Sequence, residues 1–254
     1  MTPRKKIRLL YPLLFKTYGF QGWWPIVHSD DGTLKTMDTG GYHPGIYDIP
    51  RTDRQKLEIM LGAILTQNTN WNNVVTALSS LATAGLFSIQ GLIDAKLSQI
   101  ALAIRSAGYY NQKAQYIKNL VGFLDRFPLE ELERETCSAA REKLLGIGGI
   151  GPETADSILL YALKKPSFVI DTYTRRILSG AGVISGTEDY QRLKRLFESS
   201  LVEDLAVFQE YHALLVQHGK RYYSRKPYGR EDGILRSLQI SGIPGGERHA
   251  PQIP

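Results

Sequence analysis

Two glycines around an apolar residue, followed by a proline, constrain this chain more than any other feature. Gly149, Ile150 and Gly151 precede Pro152, whose fixed φ and missing N–H suit the first position of a helix. Apolar residues then recur at three- and four-residue spacing, which predicts one apolar face made by Ala155, Ile158, Leu159 and Ala162. A further apolar cluster, 144–147, indicates a preceding helix. The stretch predicts a helix, a tight hairpin and a second helix.

A hairpin of this kind is suited to binding a phosphate through its backbone. Because the turn is rich in glycine, a phosphate can approach the N–H groups, and the positive end of the second helix's dipole favours the anion. Such a contact anchors a nucleic acid strand without reading its sequence. The glycine spacing alone fits an ordinary αα-hairpin equally well, in which the glycines only turn the chain.

An isolated aspartate follows the hairpin segment. Asp171 comes after the apolar residues 168–170, which we expect to desolvate its carboxylate, and it precedes a helical segment containing Arg175 and Arg176. The same aspartate is suited to cap the helix that begins at Thr172. A capping role and a chemical role are compatible, since a carboxylate has two oxygens.

These residues resemble the helix-hairpin-helix of the endonuclease III superfamily of DNA glycosylases. The family's hairpin glycines followed by Thr-Ala match residues 150–155, and its later Val-Asp-Thr matches residues 169–172. The resemblance covers the chain from about Trp23 to Lys220. It implies that Asp171 is the catalytic carboxylate and that the hairpin contacts DNA phosphate through Gly149, Gly151, Glu153 and Thr154.

Two departures from the family pattern restrict the chemistry. Bifunctional members carry a nucleophilic lysine where this chain has Glu153, and a carboxylate cannot form an imine, so lyase chemistry by that route is excluded. Iron–sulfur members place four cysteines after a His-Gly-basic triplet. The triplet 218–220 is present, but the first cysteine position is Tyr223, and Cys137 is the only cysteine of the chain. We therefore expect no cofactor, neither an iron–sulfur cluster nor another metal.

Aromatic residues indicate a particular branch of the superfamily. Three segments resemble the 3-methyladenine DNA glycosylase branch: Trp23, Trp24 and Pro25; Trp71, directly after Gln-Asn-Thr-Asn; and residues 108–114. In that branch the aromatics stack on the extruded base, which makes these four residues the expected base pocket. Tryptophans are also common core residues, and that alternative stays open. Gln67 resembles the family glutamine that enters the gap left by the flipped nucleotide; capping of the preceding helix is its alternative role.

The resemblance implies a monofunctional glycosylase that hydrolyses the N-glycosidic bond of alkylated purines after base flipping, in base excision repair. An N3- or N7-alkylated purine is cationic, and stacking on tryptophan adds a cation–π contribution on the order of 1 kcal/mol. Such a base is a good leaving group, so Asp171 would only stabilise the cationic sugar and position water. The flipped base leaves its stack at a cost that is smaller for damaged sites.

Basic residues outside the hairpin are expected to contact DNA phosphates. Lys113 lies in the segment Tyr-Asn-Gln-Lys, and we predict that it is exposed and binds phosphate. Lys220 is assigned to the same set, although its stem would also fill space that an iron–sulfur cluster would occupy. A basic cluster rich in tyrosine continues this surface, made by Arg221, Arg225, Lys226 and Arg230.

Helical periodicity dominates the rest of the chain. Thr52 and Gln55 fit a capping box, and further helices are predicted at 72–84, 88–93, 96–106, 111–126, 137–146 and 152–163. The predicted fold class is all-α, in the two-lobed arrangement of the resembled family with its active site between the lobes. Residues 51–165 would form a helical barrel lobe with the hairpin, residues 1–50 and 166–240 a second lobe, and residues 241–254 a disordered tail.

Composition is consistent with a DNA-binding protein. With 254 residues, 43% hydrophobic content and a formal net charge of +6, the chain can bury a large core and attract a polyanion. The N-terminal apolar segment is interrupted by Pro12 and is too short to span a bilayer. We expect a cytoplasmic monomer that binds double-stranded DNA with a damaged base and no membrane. Two alternatives remain: a bifunctional mismatch or oxidised-base glycosylase, and a non-catalytic binder of DNA structure.

Overall fold

The protein is all-α, as predicted. The computed structural model describes residues 1–28 and 41–240, with side chains up to residue 236. Residues 29–40 and the whole predicted tail 241–254 lie outside these described residues. The described part contains thirteen helices: α1 Pro3–Tyr18, α2 Asp53–Leu65, α3 Trp71–Thr83, α4 Ile89–Asp94, α5 Leu97–Ala103, α6 Tyr110–Arg126, α7 Leu129–Arg134, α8 Cys137–Leu145, α9 Pro152–Ser157, α10 Thr172–Gly180, α11 Tyr190–Glu198, α12 Leu205–Tyr222 and α13 Gly233–Ile240.

The helices predicted from periodicity are present, with ends that differ by a few residues. Two irregular segments extend them, a 3₁₀ turn at Arg105–Ala107 and a π-helical turn at Ile158–Ala162 that continues α9. The predicted cap of α2 is also present, because Thr52 Oγ1 accepts the N–H of Gln55 at 3.3 Å. The Gln55 side chain accepts from the N–H of Arg51, one residue earlier than a capping box requires.

The chain divides into two compact units. The described residues of Trp24–Tyr42 and Asp48–Lys165 form one, here called the hairpin unit. Those of Met1–Trp23, His43–Tyr47 and Pro166–Pro254 form the other, here called the terminal unit. The predicted assignment of all residues 1–50 to the second lobe is therefore wrong for the segment that begins at Trp24.

A buried carboxylate explains why this segment belongs to the hairpin unit. Glu58 on α2 is fully buried and accepts the backbone N–H groups of Val27 and His28. The His28 ring also pairs with Glu58, with 2.8 Å between Nδ1 and Oε2. A buried carboxylate must be satisfied by donors, so Glu58 fixes the chain around residue 27 against α2.

Helix α2 is the centre of the hairpin unit. Every residue from Leu57 to Leu65 is buried, so α2 is enclosed on all sides rather than on the single face that its periodicity predicted. The helix packs against α3, α6, α9 and the π-helical turn. This arrangement places the C-terminal end of α2 in the same unit as the hairpin.

Aromatic packing forms the core of the terminal unit. Phe168 stacks on Phe197 with ring centroids 4.2 Å apart, and it contacts Phe208 and Tyr211 edge-on. The Tyr211 hydroxyl donates to the carbonyl of Ile7 at 2.8 Å, which ties α12 to α1. Helix α10 also packs on α12, so the segment that follows Phe168 is held on a rigid base.

Candidate active site

The helix-hairpin-helix predicted from the glycines is formed by α8, the turn 146–151 and α9. Gly149 has a φ of +100°, and a β-carbon there would lie 2.1 Å from the Tyr116 ring, so the position requires glycine. Gly151 caps α9 with an ordinary φ of −86°, and no neighbouring atom lies within 4 Å of the place for its β-carbon. The first glycine shapes the turn, whereas the second leaves open space at the start of α9.

The predicted phosphate-binding residues of the hairpin differ in their exposure. Gly151 and Glu153 are exposed at the N-terminus of α9. Thr154 is only 6% exposed, and its Oγ1 accepts a hydrogen bond from Gln67. Because the Glu153 carboxylate repels phosphate, an anion at this helix start would be bound by backbone N–H groups.

Gln67 connects the end of α2 to the hairpin. Its Nε2 donates to the carbonyl of Gly149 and to Thr154 Oγ1, both at 3.1 Å. The C-cap of α2 is Thr66, so Gln67 does not cap that helix. The next residue, Asn68, is exposed and has a φ of +55°, which turns the chain sharply. Within the hairpin unit, the turn after α2 and the hairpin thus lie side by side.

The prediction that Lys113 is exposed and binds phosphate is wrong. Its side chain is 2% exposed, and Nζ donates to the carbonyls of Leu65 and Ala107, each at 2.8 Å. These carbonyls end α2 and the 3₁₀ turn, where no intrahelical donor is available. Burial lowers the pKa of Lys113 to about 8. The lysine therefore satisfies two buried helix ends and cannot reach DNA.

Two of the three tryptophans lie together in the hairpin unit. Trp24 is 4% exposed and contacts Trp71 edge-on, with ring centroids 5.5 Å apart. It also packs on Tyr161 and lies above Gly62, where a β-carbon would be 3.2 Å from the indole. Pro25 is buried as well. Trp24 and Pro25 are thus core residues, whereas Trp71 is only half-buried.

Asp171 caps α10 in the terminal unit. Its Oδ1 accepts the N–H of Thr174 at 2.7 Å, as predicted from the sequence. The preceding residues 168–170 are buried, and Asp171 itself is half-buried. Within the described part of the chain, no hydrogen bond reaches its Oδ2. One carboxylate oxygen is therefore held by the helix, and the other is available for a ligand or water.

Two basic residues near Asp171, His212 and Lys220, were not predicted from the sequence to lie beside it. Burial lowers the pKa of His212, and desolvation lowers that of Lys220 although its residue surface is exposed; in both cases the charge of Asp171 partly opposes the shift. Both residues lie on α12, and a β-carbon at Gly219 would lie 2.4 Å from Tyr173, so this glycine allows α10 to pack closely on α12. The glycine of the triplet 218–220 was the available signal for this contact.

Lys220 lies over Trp23. Its Nζ is 5.0 Å from the centroid of the Trp23 ring, within the range of a cation–π interaction. Trp23 is half-buried and belongs to the terminal unit, unlike Trp24 and Trp71. Trp23, which we expected to stack on a cationic base, is therefore already in contact with the ammonium group of Lys220.

The residues after the triplet do not fit an iron–sulfur cluster. Tyr223, at the first cysteine position, is 2% exposed and donates its hydroxyl to Asp232 Oδ2 at 2.9 Å. His218 Nε2 pairs with the same oxygen at 2.8 Å. Such clusters need thiolate ligands, and the only cysteine of the chain, Cys137, lies on α8 in the hairpin unit. Hydrogen bonds from His218 and Tyr223 to Asp232 join the end of α12 to the start of α13.

No helix in the described residues is both long and apolar enough to cross a membrane.

Sequence comparisons relate this chain to known proteins. A family model described as HhH-GPD superfamily base excision DNA repair protein matches residues 61–203. A protein of Methanocaldococcus jannaschii, described as a candidate DNA repair glycosylase, is 36% identical over 222 residues, which cover 85% of this chain and 88% of the relative. Endonuclease III of Sulfolobus acidocaldarius is 34% identical over 178 residues, covering 68% of this chain and 77% of the relative.

A solved structure extends the similarity to the fold. The 3-methyladenine DNA glycosylase of H. pylori, bound to 1,N6-ethenoadenine, superimposes with a TM-score of 0.66 at 27% identity. The match covers 87% of this chain and 98% of that protein. The chain belongs to the HhH-GPD superfamily of base excision DNA repair proteins, and within it this protein is a DNA glycosylase.

Proposed function

We propose that the protein hydrolyses the N-glycosidic bond of alkylated purines of the 3-methyladenine type in double-stranded DNA. The observation that carries this proposal is Asp171, which is fixed as the N-cap of α10 by one oxygen while the other is available. A carboxylate held in this way stabilises positive charge that develops on the deoxyribose without needing to move during the reaction. The same carboxylate orients the water that adds to C1′.

The absence of a nucleophilic amine in the hairpin supports hydrolysis by water. Glu153 stands where bifunctional members of the superfamily have their lysine, and it cannot form a Schiff base. We therefore propose that base release involves no covalent intermediate through the hairpin. The reaction needs no cofactor, and we propose that the protein acts as a monomer.

The aromatic residues support a purine as the base. Trp71 in the hairpin unit and Trp23 in the terminal unit are both only half-buried, and each is held by a ring or cation–π contact. Indole faces stack on bases whatever their hydrogen-bonding edges, which suits a damaged base. The similar H. pylori enzyme is a 3-methyladenine glycosylase with a modified purine bound, which supports the same class of substrate here.

DNA binding is assigned to the hairpin and to the turn after α2. Backbone N–H groups near Gly151 would hold a phosphate at the start of α9. Gln67 would leave its hydrogen bonds to Gly149 and Thr154 and enter the gap left by the flipped nucleotide. Because flipping costs a few kcal/mol, a side chain that fills the gap favours the extruded state.

Chromatography of bases released from methylated duplex DNA tests this proposal. We expect free 3-methyladenine together with intact strands that break only after heating in alkali. Borohydride treatment during the reaction distinguishes the endonuclease III type of chemistry, because it would trap a covalent protein–DNA adduct. Binding of DNA without release of any base would instead indicate a non-catalytic binder.

A further inference from the structure

The triplet His218-Gly219-Lys220 places a charge beside the proposed catalytic carboxylate. His218 is fully buried, with Nδ1 2.9 Å from the Tyr18 hydroxyl and Nε2 2.8 Å from Asp232 Oδ2. Contacts on both sides of the ring fix the last turn of α12. Lys220, two residues on, therefore projects from an anchored helix end.

Gly219 brings α10 close to this helix end. A β-carbon at this position would lie 2.4 Å from Tyr173 Cβ, so only glycine permits the observed distance between α10 and α12. Asp171 is the N-cap of α10, two residues before Tyr173. The consequence is an electrostatic contact between Asp171 and Lys220, which opposes the effect of burial on the lysine pKa.

Lys220 lies over the ring of Trp23, one of the residues on which the proposed function stacks the base. Its Nζ lies 5.0 Å from the Trp23 ring centroid, and a cationic purine stacked there would meet a like charge. A neutral purine would experience no such repulsion. The lysine therefore weakens the preference for cationic bases that a tryptophan face alone would have.

The charge of the base also changes during the reaction. Breaking the C1′–N9 bond of a neutral purine sends the bonding electrons to the base, which becomes negative until it takes up a proton. Water supplies hydroxide to C1′ and its remaining proton ends on the released base. An ammonium group beside the base stabilises this negative charge. A cationic purine leaves as a neutral molecule and gains nothing from the ammonium group.

We infer that Lys220 determines the charge preference of this site and extends its substrates to neutral modified purines. The inference rests on the proposed glycosylase function. It assigns Lys220 to the departing base, whereas Asp171 acts on the sugar. It also explains why Lys220 follows His218 and Gly219, which a role in DNA binding alone does not explain.

Single-turnover release of two bases tests the inference. Duplexes containing 1,N6-ethenoadenine provide a neutral purine, and methylated DNA provides cationic 3-methyladenine. We expect Lys220→Met to lose most ethenoadenine release while 3-methyladenine release is retained or increased, so that the ratio of the two rates falls. Lys220→Arg, which keeps the charge, should largely retain the wild-type ratio. Lys16→Met, which removes an exposed lysine of α1, should leave both rates unchanged. An equal loss for both substrates would overturn the inference and leave only a role in DNA binding.

Binding of free purines tests the same inference without catalysis. Quenching of tryptophan fluorescence is measured with the fixed cation 3,9-dimethyladenine and with neutral 1,N6-ethenoadenine. Lys220→Met should bind the cation more tightly than the wild type does, with little change for the neutral purine. If the wild type releases neither base from DNA, the proposed function fails, and this measurement still decides the role of Lys220. Unchanged affinity for the cation would overturn it.

Discussion

Lys113 shows how a single charged residue can serve the fold instead of the DNA. Its ammonium group is buried and satisfies the carbonyls of Leu65 and Ala107. On α6 it lies four residues before Ile117, on the same face as the buried Leu120 and Leu124. The helical period thus placed Lys113 in the buried stripe. The prediction of an exposed lysine failed because the apolar face of Ala114, Ile117 and Leu120 was expected to lie behind Lys113, whereas the buried face of α6 includes it.

The pH dependence of stability tests the burial of Lys113. Burial lowers its pKa from 10.5 to about 8, so between these values the unfolded chain binds more protons than the folded one. Stability should therefore rise with pH across this window, by about 1 to 3 kcal/mol relative to Lys113→Met, which has no titrating group there. Urea denaturation at several pH values between 7 and 10 measures the difference. Parallel pH profiles for the two proteins would contradict the burial of the charged group.

At the scale of elements, the two hairpin glycines have different roles. Gly149 shapes the turn, and Gly151 leaves open space where a ligand can bind. The pattern Gly149-Ile150-Gly151 predicted the turn, and the structure contains it. The sequence did not distinguish the two glycines, because the contact of Gly149 with Tyr116 comes from α6, far away in the chain. Tertiary contacts of this kind cannot be read from local spacing.

Alanine should affect stability at Gly149 and DNA binding at Gly151. Gly149→Ala forces a positive φ on alanine and a clash with the Tyr116 ring, so we expect a loss of about 2 kcal/mol or more of stability. Gly151→Ala fits its ordinary φ and open surroundings, so stability should change little. Its methyl group would nevertheless hinder a phosphate at the start of α9. Thermal denaturation and fluorescence anisotropy with duplex DNA measure the two effects, and unchanged DNA affinity in Gly151→Ala would argue against phosphate binding there.

A helix could be predicted from the sequence where it had a side-chain cap and regular apolar spacing. Helices such as α2 and α10 have an Asx or Thr cap and regular apolar spacing, and both were anticipated around Thr52 and Thr172. Helix α7 has only six residues and no side-chain cap, which leaves too few positions to establish a period. Helix α11 was not predicted although Asp189 caps it and Leu193 and Phe197 are buried, so its signals were available and were overlooked.

At the scale of the whole molecule, long-range hydrogen bonds determine how the chain divides. The segment beginning at Trp24 joins the hairpin unit because Glu58 binds the N–H groups of Val27 and His28. A glutamate within an apolar helix gives no indication of its partner thirty residues earlier. The all-α class followed from periodicity, whereas this boundary, the Trp24 packing and the pairing of Lys220 with Trp23 required the folded chain.

The net charge of +6 is consistent with basic side chains that neutralise DNA phosphates, so we expect DNA binding to weaken as the salt concentration rises. The logarithm of the binding constant should fall linearly with the logarithm of salt concentration, with a slope of about −0.9 for each phosphate neutralised. Arg225 is exposed in the predicted basic cluster, and Arg225→Gln should reduce the slope by about one phosphate. Anisotropy titrations at several salt concentrations measure this, and an unchanged slope would remove Arg225 from the DNA contacts.

Asp171 is the residue that we propose to catalyse base release from damaged DNA. Asp189 provides a matched control, because it caps α11 with an Oδ1 to N–H distance of 2.8 Å, as Asp171 caps α10. Asparagine preserves either cap, so both variants should fold.

The most direct measurement is therefore release of alkylated bases from methylated duplex DNA by the wild type, Asp171→Asn and Asp189→Asn. We predict that Asp171→Asn lowers the rate by at least about a hundredfold with DNA binding retained, and that Asp189→Asn matches the wild type. Base release by Asp171→Asn at the wild-type rate would contradict the catalytic role of this carboxylate.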